Sequence, residues 1–234
     1  MRTSEHSLLP PLHERSLPPG PLRRPGNLDF GLHRSCYKGT LRKRAEDVAE
    51  APARRYIPLM LDVPTLSIVL APAPILKRPA RAVRNEDYET VRALVPRMFA
   101  TMYQAPGIGL AAPQVGVGLR VAVVDLKPEE KPSPIVLINP EVVATSTEMV
   151  TREEGCLSLP NQYAEVTRPA RVKVRFFDLD GRSQEIEAEG LLSACLQHEI
   201  DHLNGILFID YLSPLKRNII LRRLAKEQRQ KQSR

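Results

Sequence analysis

Between residues 86 and 102, Val91, Leu94, Val95, Met98 and Met102 recur at three- and four-residue intervals, the spacing that lines one face of an α-helix. Pro96 falls inside the run and argues against a straight axis, because an interior proline removes a backbone hydrogen bond. The period then changes. Residues 120–126, 135–143 and 148–153 are rich in β-branched side chains or bounded by turn formers, and predict strands. In the stretch RVKVRFFDLDGRSQEIEAEG, Val172, Val174 and Phe176 alternate with Lys173 and Arg175, and Asp180-Gly181 predicts the turn of a hairpin. Helices are predicted over residues 190–204, with Gly205 as the C-terminal cap, and over SPLKRNIILRRLAKEQRQKQ, where Ile219, Ile220 and Leu224 stand against a basic exterior. The small, glycine-rich run GIGLAAPQVG, residues 107–116, predicts a loop. Helices combined with antiparallel strands, without alternation of β and α, imply an α+β fold. Its antiparallel sheets would pack around the helix at 190–204, with a C-terminal helix outside.

The first 64 residues follow neither period. They hold nine prolines and clusters such as LPPGPLRRPG, and predict a disordered extension. Their arginines suit an organellar targeting segment, but seven acidic residues and the prolines do not, and no secretory pattern is present. A natural start further on, for example at Met60, is an equal reading. The expected organisation is therefore an extension over 1–64, a body over 65–213 and a basic helical tail over 214–234.

Charge sharpens this division. The net +7 of the 234-residue chain comes from its ends: residues 216–234 carry eight Lys or Arg against Glu227, and residues 1–64 carry eleven basic and seven acidic groups. The body is mildly acidic. No apolar run approaches the roughly eighteen residues of a membrane span. Three cysteines, an odd number in a chain this long, argue against a disulfide framework and suit a reducing cytosol. Cys36, in the extension, receives no role.

The candidate chemistry begins in LQHEIDHLNG, residues 196–205. His198 and His202 are four apart, so a helix presents both imidazoles to one ion, with Glu199 placed to take a proton from water the ion activates. The plain alternative is an exposed polar helix face. Catalytic centres of this kind usually take three protein ligands, so the third decides the class. The longer pattern H-E-x-x-H-x-x-G-x-x-H fails, because Phe208 stands where its last histidine belongs. A later glutamate could only be Glu227, in the basic tail. Upstream, EEGCLSLP offers Cys156, a soft thiolate beside a glycine, as the third ligand. Cys195, three residues before His198, is better read as a small buried hydrophobe than as a ligand.

In order along the chain, GIGLAAPQVG, EEGCLSLP and LQHEIDHLNG match G-x-G-x-A-A-x-Q, E-G-C-L-S and H-E-x-x-H, and together they resemble peptide deformylase. The resemblance spans about residues 67–226. It implies hydrolysis of the N-formyl group from the formylmethionine of new polypeptides, giving formate and a free amino terminus. Iron(II) is the metal it implies, with zinc, nickel or cobalt able to occupy the site; on ligand grounds alone zinc fits as well. Glu199 would be the general base, with the Gln114 amide and the Leu157 backbone N–H as donors to the developing oxyanion. A methionine pocket would involve Ile108, Leu191 and Cys195, while Gly109 and Glu154 would lie beside the substrate backbone. Some family members carry an arginine seven residues after the cysteine, where this chain has Tyr163. The basic tail resembles that of bacterial members expected to dock on the ribosome near the peptide exit, which implies the bacterial cytoplasm rather than an organelle. A catalytically inactive ribosome- or RNA-binding protein and a metal-dependent peptidase are the competing classes.

Overall fold

A computed structural model describes residues 63–127 and 132–232. The expected extension, with Cys36 and Met60, lies outside the described residues apart from its last two positions.

The core is organised by the alternation of side chains along two central strands, β2 (Val121–Val124) and β3 (Ile135–Thr145). They pair antiparallel, with Val121 opposite Ile138 and Val123 opposite Val136. These four residues bury one face against the helix α1 (Tyr88–Gln104), whose Val91, Leu94, Val95, Met98, Phe99 and Met102 form its apolar stripe. The intervening Ala122, Val124, Ile135 and Leu137 face the opposite way, onto Cys195, Leu196, Ile200 and Leu203 of the helix α2 (Gly190–Leu203). A fully buried Val or Leu contributes about 1.5–3 kcal/mol, so the sheet is held from both sides.

The sheet continues outwards in the order β1-β2-β3-β6-β7, all antiparallel, with β1 at Gly109–Ala111, β6 at Arg171–Phe177 and β7 at Ser183–Glu189. The β6–β7 hairpin turns at Gly181, where φ is +76 and the backbone N–H reaches back to Asp178 O at 3.0 Å. A separate two-stranded sheet joins β4 (Met149–Cys156) to β5 (Leu159–Pro169). The last helix, α3 (Pro214–Gln232), seats Ile220 and Leu224 in a third cluster with Ala71, Leu76, Leu159 and Phe208. It is thus packed on the body along that face.

The α+β architecture is the expected one. Helix α1 runs unbroken through Pro96, and the predicted boundaries shift by a few residues. Two elements differ in kind. The glycine-rich run expected to be a loop contains the three-residue strand β1, followed by a 3-10 turn at Ala112–Val115. Strand β5 was not predicted, because its inward positions include Gln162 and Arg168, which erases the apolar alternation.

Helix α2 ends firmly. Gly205 donates to His202 O at 3.1 Å and Ile206 donates to Asp201 O at 2.9 Å, a Schellman pair one position beyond the cap residue Asn204. Arg120 donates to Asn204 Oδ1 at 2.8 Å and to Pro140 O at 3.1 Å, fastening this end to β3. Gly205 has φ +74, and a β-carbon there would lie 2.8 Å from the Lys77 backbone. Gly205→Ala is therefore expected to cost at least about 1–3 kcal/mol of unfolding free energy in urea denaturation. Gly118→Ala, where nothing lies within 4 Å, is the neutral control.

Candidate metal centre and active-site cleft

A helix and a strand of the smaller sheet supply the candidate ligands. Helical spacing places His198 and His202 on one face of α2, with ring centroids 5.0 Å apart. Cys156 is the last residue of β4, where the β4–β5 ladder shifts register between Gly155 and Cys156, an irregularity of the kind that re-aims a side chain. Cys156 Sγ lies 3.1 Å from His202 Nε2, and the donor atoms of Cys156, His198 and His202 all lie within 4.8 Å of one another. A thiolate and two imidazoles at these separations fit a four-coordinate transition metal with one position open. Phe208, which excludes the longer histidine motif, is buried and stacks on His198 at 6.3 Å. Glu227 stands apart on α3, where Gln162 donates to it at 3.4 Å.

Beside the three ligands, Glu199 is almost fully buried, and its Oε2 has no hydrogen-bond partner among the described residues. A buried acceptor of this kind is costly unless something in the site meets it, which supports the fit of a cation and its water. Burial pushes the Glu199 carboxyl up to about 7, near where a group exchanging protons at neutral pH works best. Gly109 admits this carboxylate: a β-carbon there would collide with Glu199 Oε1 and lie 2.9 Å from Cys195 Sγ. On the other side, the Ala111 N–H donates to Gln114 Oε1 at 2.8 Å. The Gln114 amide NH2 is thereby turned towards Cys156 Sγ at 3.5 Å and Ser158 Oγ at 3.3 Å.

Behind the ligands runs a polar chain that sequence reasoning missed. Glu154 Oε2 lies 3.0 Å from His198 Nδ1, and the Arg168 guanidinium donates to both Glu154 oxygens at 2.5 and 3.0 Å. Arg168 also donates to Asp201 at 2.7 Å, Tyr211 donates to the same carboxylate at 2.8 Å, and the Tyr211 ring lies 4.7 Å from the guanidinium. Burial by itself would raise the Glu154 pKa, but hydrogen bonds from His198 and Arg168 outweigh it and hold the carboxyl at about 2. Glu154 therefore directs its charge at His198 and Arg168 while its strand borders the cleft. The one signal in the sequence was an arginine at an inward position of β5, two residues after Val166.

Ile108, Gly109, Gln114, Glu154, Cys156, Leu157, Leu191, Cys195, His198 and Glu199 all line one cleft of ≈ 660 Å³, with His202 buried at its base. Cys195 is buried, its Sγ lies 3.7 Å from Ile108 O, and it is not one of the three residues whose ligand atoms converge. Tyr163 stands at the mouth of the cleft and is exposed.

A family model described as polypeptide deformylase matches residues 65–218. A curated peptide deformylase of Mesorhizobium japonicum is 51% identical over 165 residues, covering 70% of this chain and 93% of the relative. One of Bradyrhizobium sp. is 55% identical over 164 residues, covering 68% and 93%. The crystal structure of a peptide deformylase from Legionella pneumophila matches with a TM-score of 0.68 at 45% identity, over 73% of this chain and 99% of that one. The enzyme of Ehrlichia chaffeensis in complex with actinonin matches at 0.68 and 42%, over 71% and 99%.

The buried chain predicts a large asymmetry between two substitutions. Arg168→Ala leaves Glu154 and Asp201 buried without their cation and is expected to lower unfolding free energy by about 3–5 kcal/mol. Tyr211→Phe removes one hydrogen bond and is expected to cost about 1–3 kcal/mol. Denaturant titration of both variants decides it: comparable small losses would mean that the guanidinium does not neutralise the pair.

Proposed function

The chain belongs to the peptide deformylase family, a metal-dependent hydrolase family that removes the N-formyl group from the initiator methionine of nascent chains, and from that premise we infer which residues carry the reaction. The observation that carries the assignment is the Cys156, His198 and His202 cluster beside the buried, unpartnered carboxylate oxygen of Glu199. When bound, a divalent cation lowers the pKa of water and polarises the formyl carbonyl. Glu199 accepts the proton released on attack and returns it to the departing amine, a role that suits a carboxyl buried to a pKa of about 7. The Gln114 amide and the Leu157 backbone N–H stabilise the charge that develops on the carbonyl oxygen. Glu154 fixes the ring of His198 through Nδ1, which leaves the other ring nitrogen for the metal.

The substrate's place follows from two strand edges. Among the described residues β1 pairs only with β2 and β4 only with β5, and both bear residues that line the cleft. An extended peptide laid between them is held by backbone hydrogen bonds in the manner of an added strand, beside Gly109 and the strand of Glu154. Its first side chain enters the methionine pocket among Ile108, Leu191 and Cys195. The metal we propose is iron(II), which the family resemblance supports; zinc, nickel and cobalt also suit the donor set.

The body at 65–213 is read as the catalytic unit and 214–234 as a docking tail. The eight basic residues in 216–234 support a contact with ribosomal RNA near the peptide exit, in the bacterial cytoplasm. No helix is long and apolar enough to cross a membrane among the described residues. Neither the inactive-scaffold reading nor the peptidase reading is supported by the relatives.

Anaerobically purified protein containing iron(II) is expected to release formate from formyl-Met-Ala-Ser. Glu199→Ala with retained metal should lose at least about 100-fold in kcat, and Gln114→Ala about 100- to 1,000-fold. An active Glu199→Ala enzyme would remove that residue from the mechanism. For the tail, Arg222→Glu combined with Arg223→Glu and Lys226→Glu should weaken co-sedimentation with ribosomes; unchanged co-sedimentation would reject the docking role.

A further inference from the structure

Strand geometry fixes more than the first side chain of the substrate. Successive residues of an extended peptide point to opposite faces, so a first side chain directed inwards to α2 sends the second outwards. The β4–β5 hairpin shows which surface it meets. On the inner face Glu154, Gln162, Val166 and Arg168 are buried, whereas Glu153, Gly155, Tyr163 and Glu165 are exposed on the outer one. Across the ladder Gly155 pairs with Tyr163, and Glu153 pairs with Glu165.

Tyr163 is 64% exposed, yet its position is defined. The ring lies so close over Gly155 that a β-carbon there would be 2.6 Å from it. Gly155 thus provides the seat for an aromatic ring immediately before the metal ligand Cys156, and both Gly155 and Tyr163 line the cleft. Two like charges directly opposite on a ladder are unfavourable, and among the described residues neither Glu153 nor Glu165 has a cationic partner. Their neighbours on this face, Thr151 and Thr167, are neutral and bond to each other at 2.8 Å. Arg152, the nearest cation along β4, projects from the other face of the ladder, opposite Val166, although it is exposed and borders the cleft. Ile68, Leu70 and Pro106 add apolar lining to the cleft.

We propose that Tyr163 is a specificity-determining residue for the second amino acid of the substrate, and that with Glu153 it favours lysine or arginine there. The stem of such a side chain lies along the ring, its cationic head meets the aromatic face, and Glu153 supplies the complementary charge. This rests on the deformylase reading and on the inward placement of the first side chain.

The test compares kcat/KM for formyl-Met-Lys-Ala, formyl-Met-Ala-Ala and formyl-Met-Glu-Ala with the iron(II) enzyme. Lysine is expected to exceed alanine by about 2- to 5-fold, the range of an exposed cation–π contact, with glutamate lowest. Added salt should narrow the spread. In Tyr163→Ala the lysine-to-alanine ratio should fall towards one whatever the absolute rate, Tyr163→Phe should keep it, and Glu153→Gln should shrink the difference between lysine and glutamate. Equal kcat/KM for the three peptides, or a ratio unchanged in Tyr163→Ala, overturns the proposal while leaving the reaction assignment intact. No turnover of formyl-Met-Ala-Ala overturns the reaction assignment and the proposal with it.

Discussion

The Arg168 guanidinium is the point at which separate parts of the fold are tied into one site. Its strand, β5, carries it inwards; Glu154 on β4 and Asp201 on α2 receive it; Tyr211, just beyond α2, covers it. The small sheet that bears Cys156 is thereby held against the helix that bears the histidines. With 6% of its side chain exposed, the cation is stable there only because two carboxylates neutralise it. Glu154 is in turn committed to His198, so the geometry of a candidate metal ligand is set by the same ion pair that joins sheet to helix.

Two buried glutamates within this small volume have opposite properties, and environment alone separates them. Glu154 accepts from Arg168 and His198 and is held ionised, with a pKa of about 2. Glu199, on the same side of α2 as the ligand cluster, has no such donors on Oε2 and is pushed up to about 7 by burial. The first is suited to orienting a ligand and the second to moving a proton. Gly109 makes this possible sterically, since any side chain there would displace the Glu199 carboxylate.

The cleft takes its shape from what the sheets leave unpaired. Strand β1 ends the larger sheet and β4 belongs to the smaller, and both border the opening above the ligands. Because the β4–β5 hairpin alternates buried and exposed residues, it has one surface turned to the metal helix and another, with Tyr163 and Glu153, turned to solvent. Helix α3 braces the buried face of this hairpin, packing Ile220 and Leu224 with Leu159 and Val166, and Gln162 on β5 bonds to Glu227. The tail is therefore continuous with the wall of the cleft, and its first turn is tied to the body where Arg217 lies 3.7 Å from Asp210.

Local order was legible in the sequence wherever one rule governed one stretch. The 3.6-residue period of α1, the alternation and Asp-Gly turn of the β6–β7 hairpin, and the glycine that ends α2 each depend on near neighbours. The candidate ligands were legible too: His198 and His202 lie one turn apart, and Phe208 removed the main alternative to Cys156. Strand β1 was hidden because its backbone pairing with β2 leaves no trace in a run of glycine and alanine. Strand β5 was hidden because its inward positions serve the site rather than the core. The sequence by itself thus determined the class of fold and, through three short motifs, the family and the candidate metal ligands, since these rest on residue type and short spacing. The tertiary structure alone decided the rest: that Arg168 neutralises both Glu154 and Asp201, that burial separates the two glutamates, and that Tyr163 rests on Gly155. Each of these depends on contacts between segments whose separation along the chain does not reveal their separation in space.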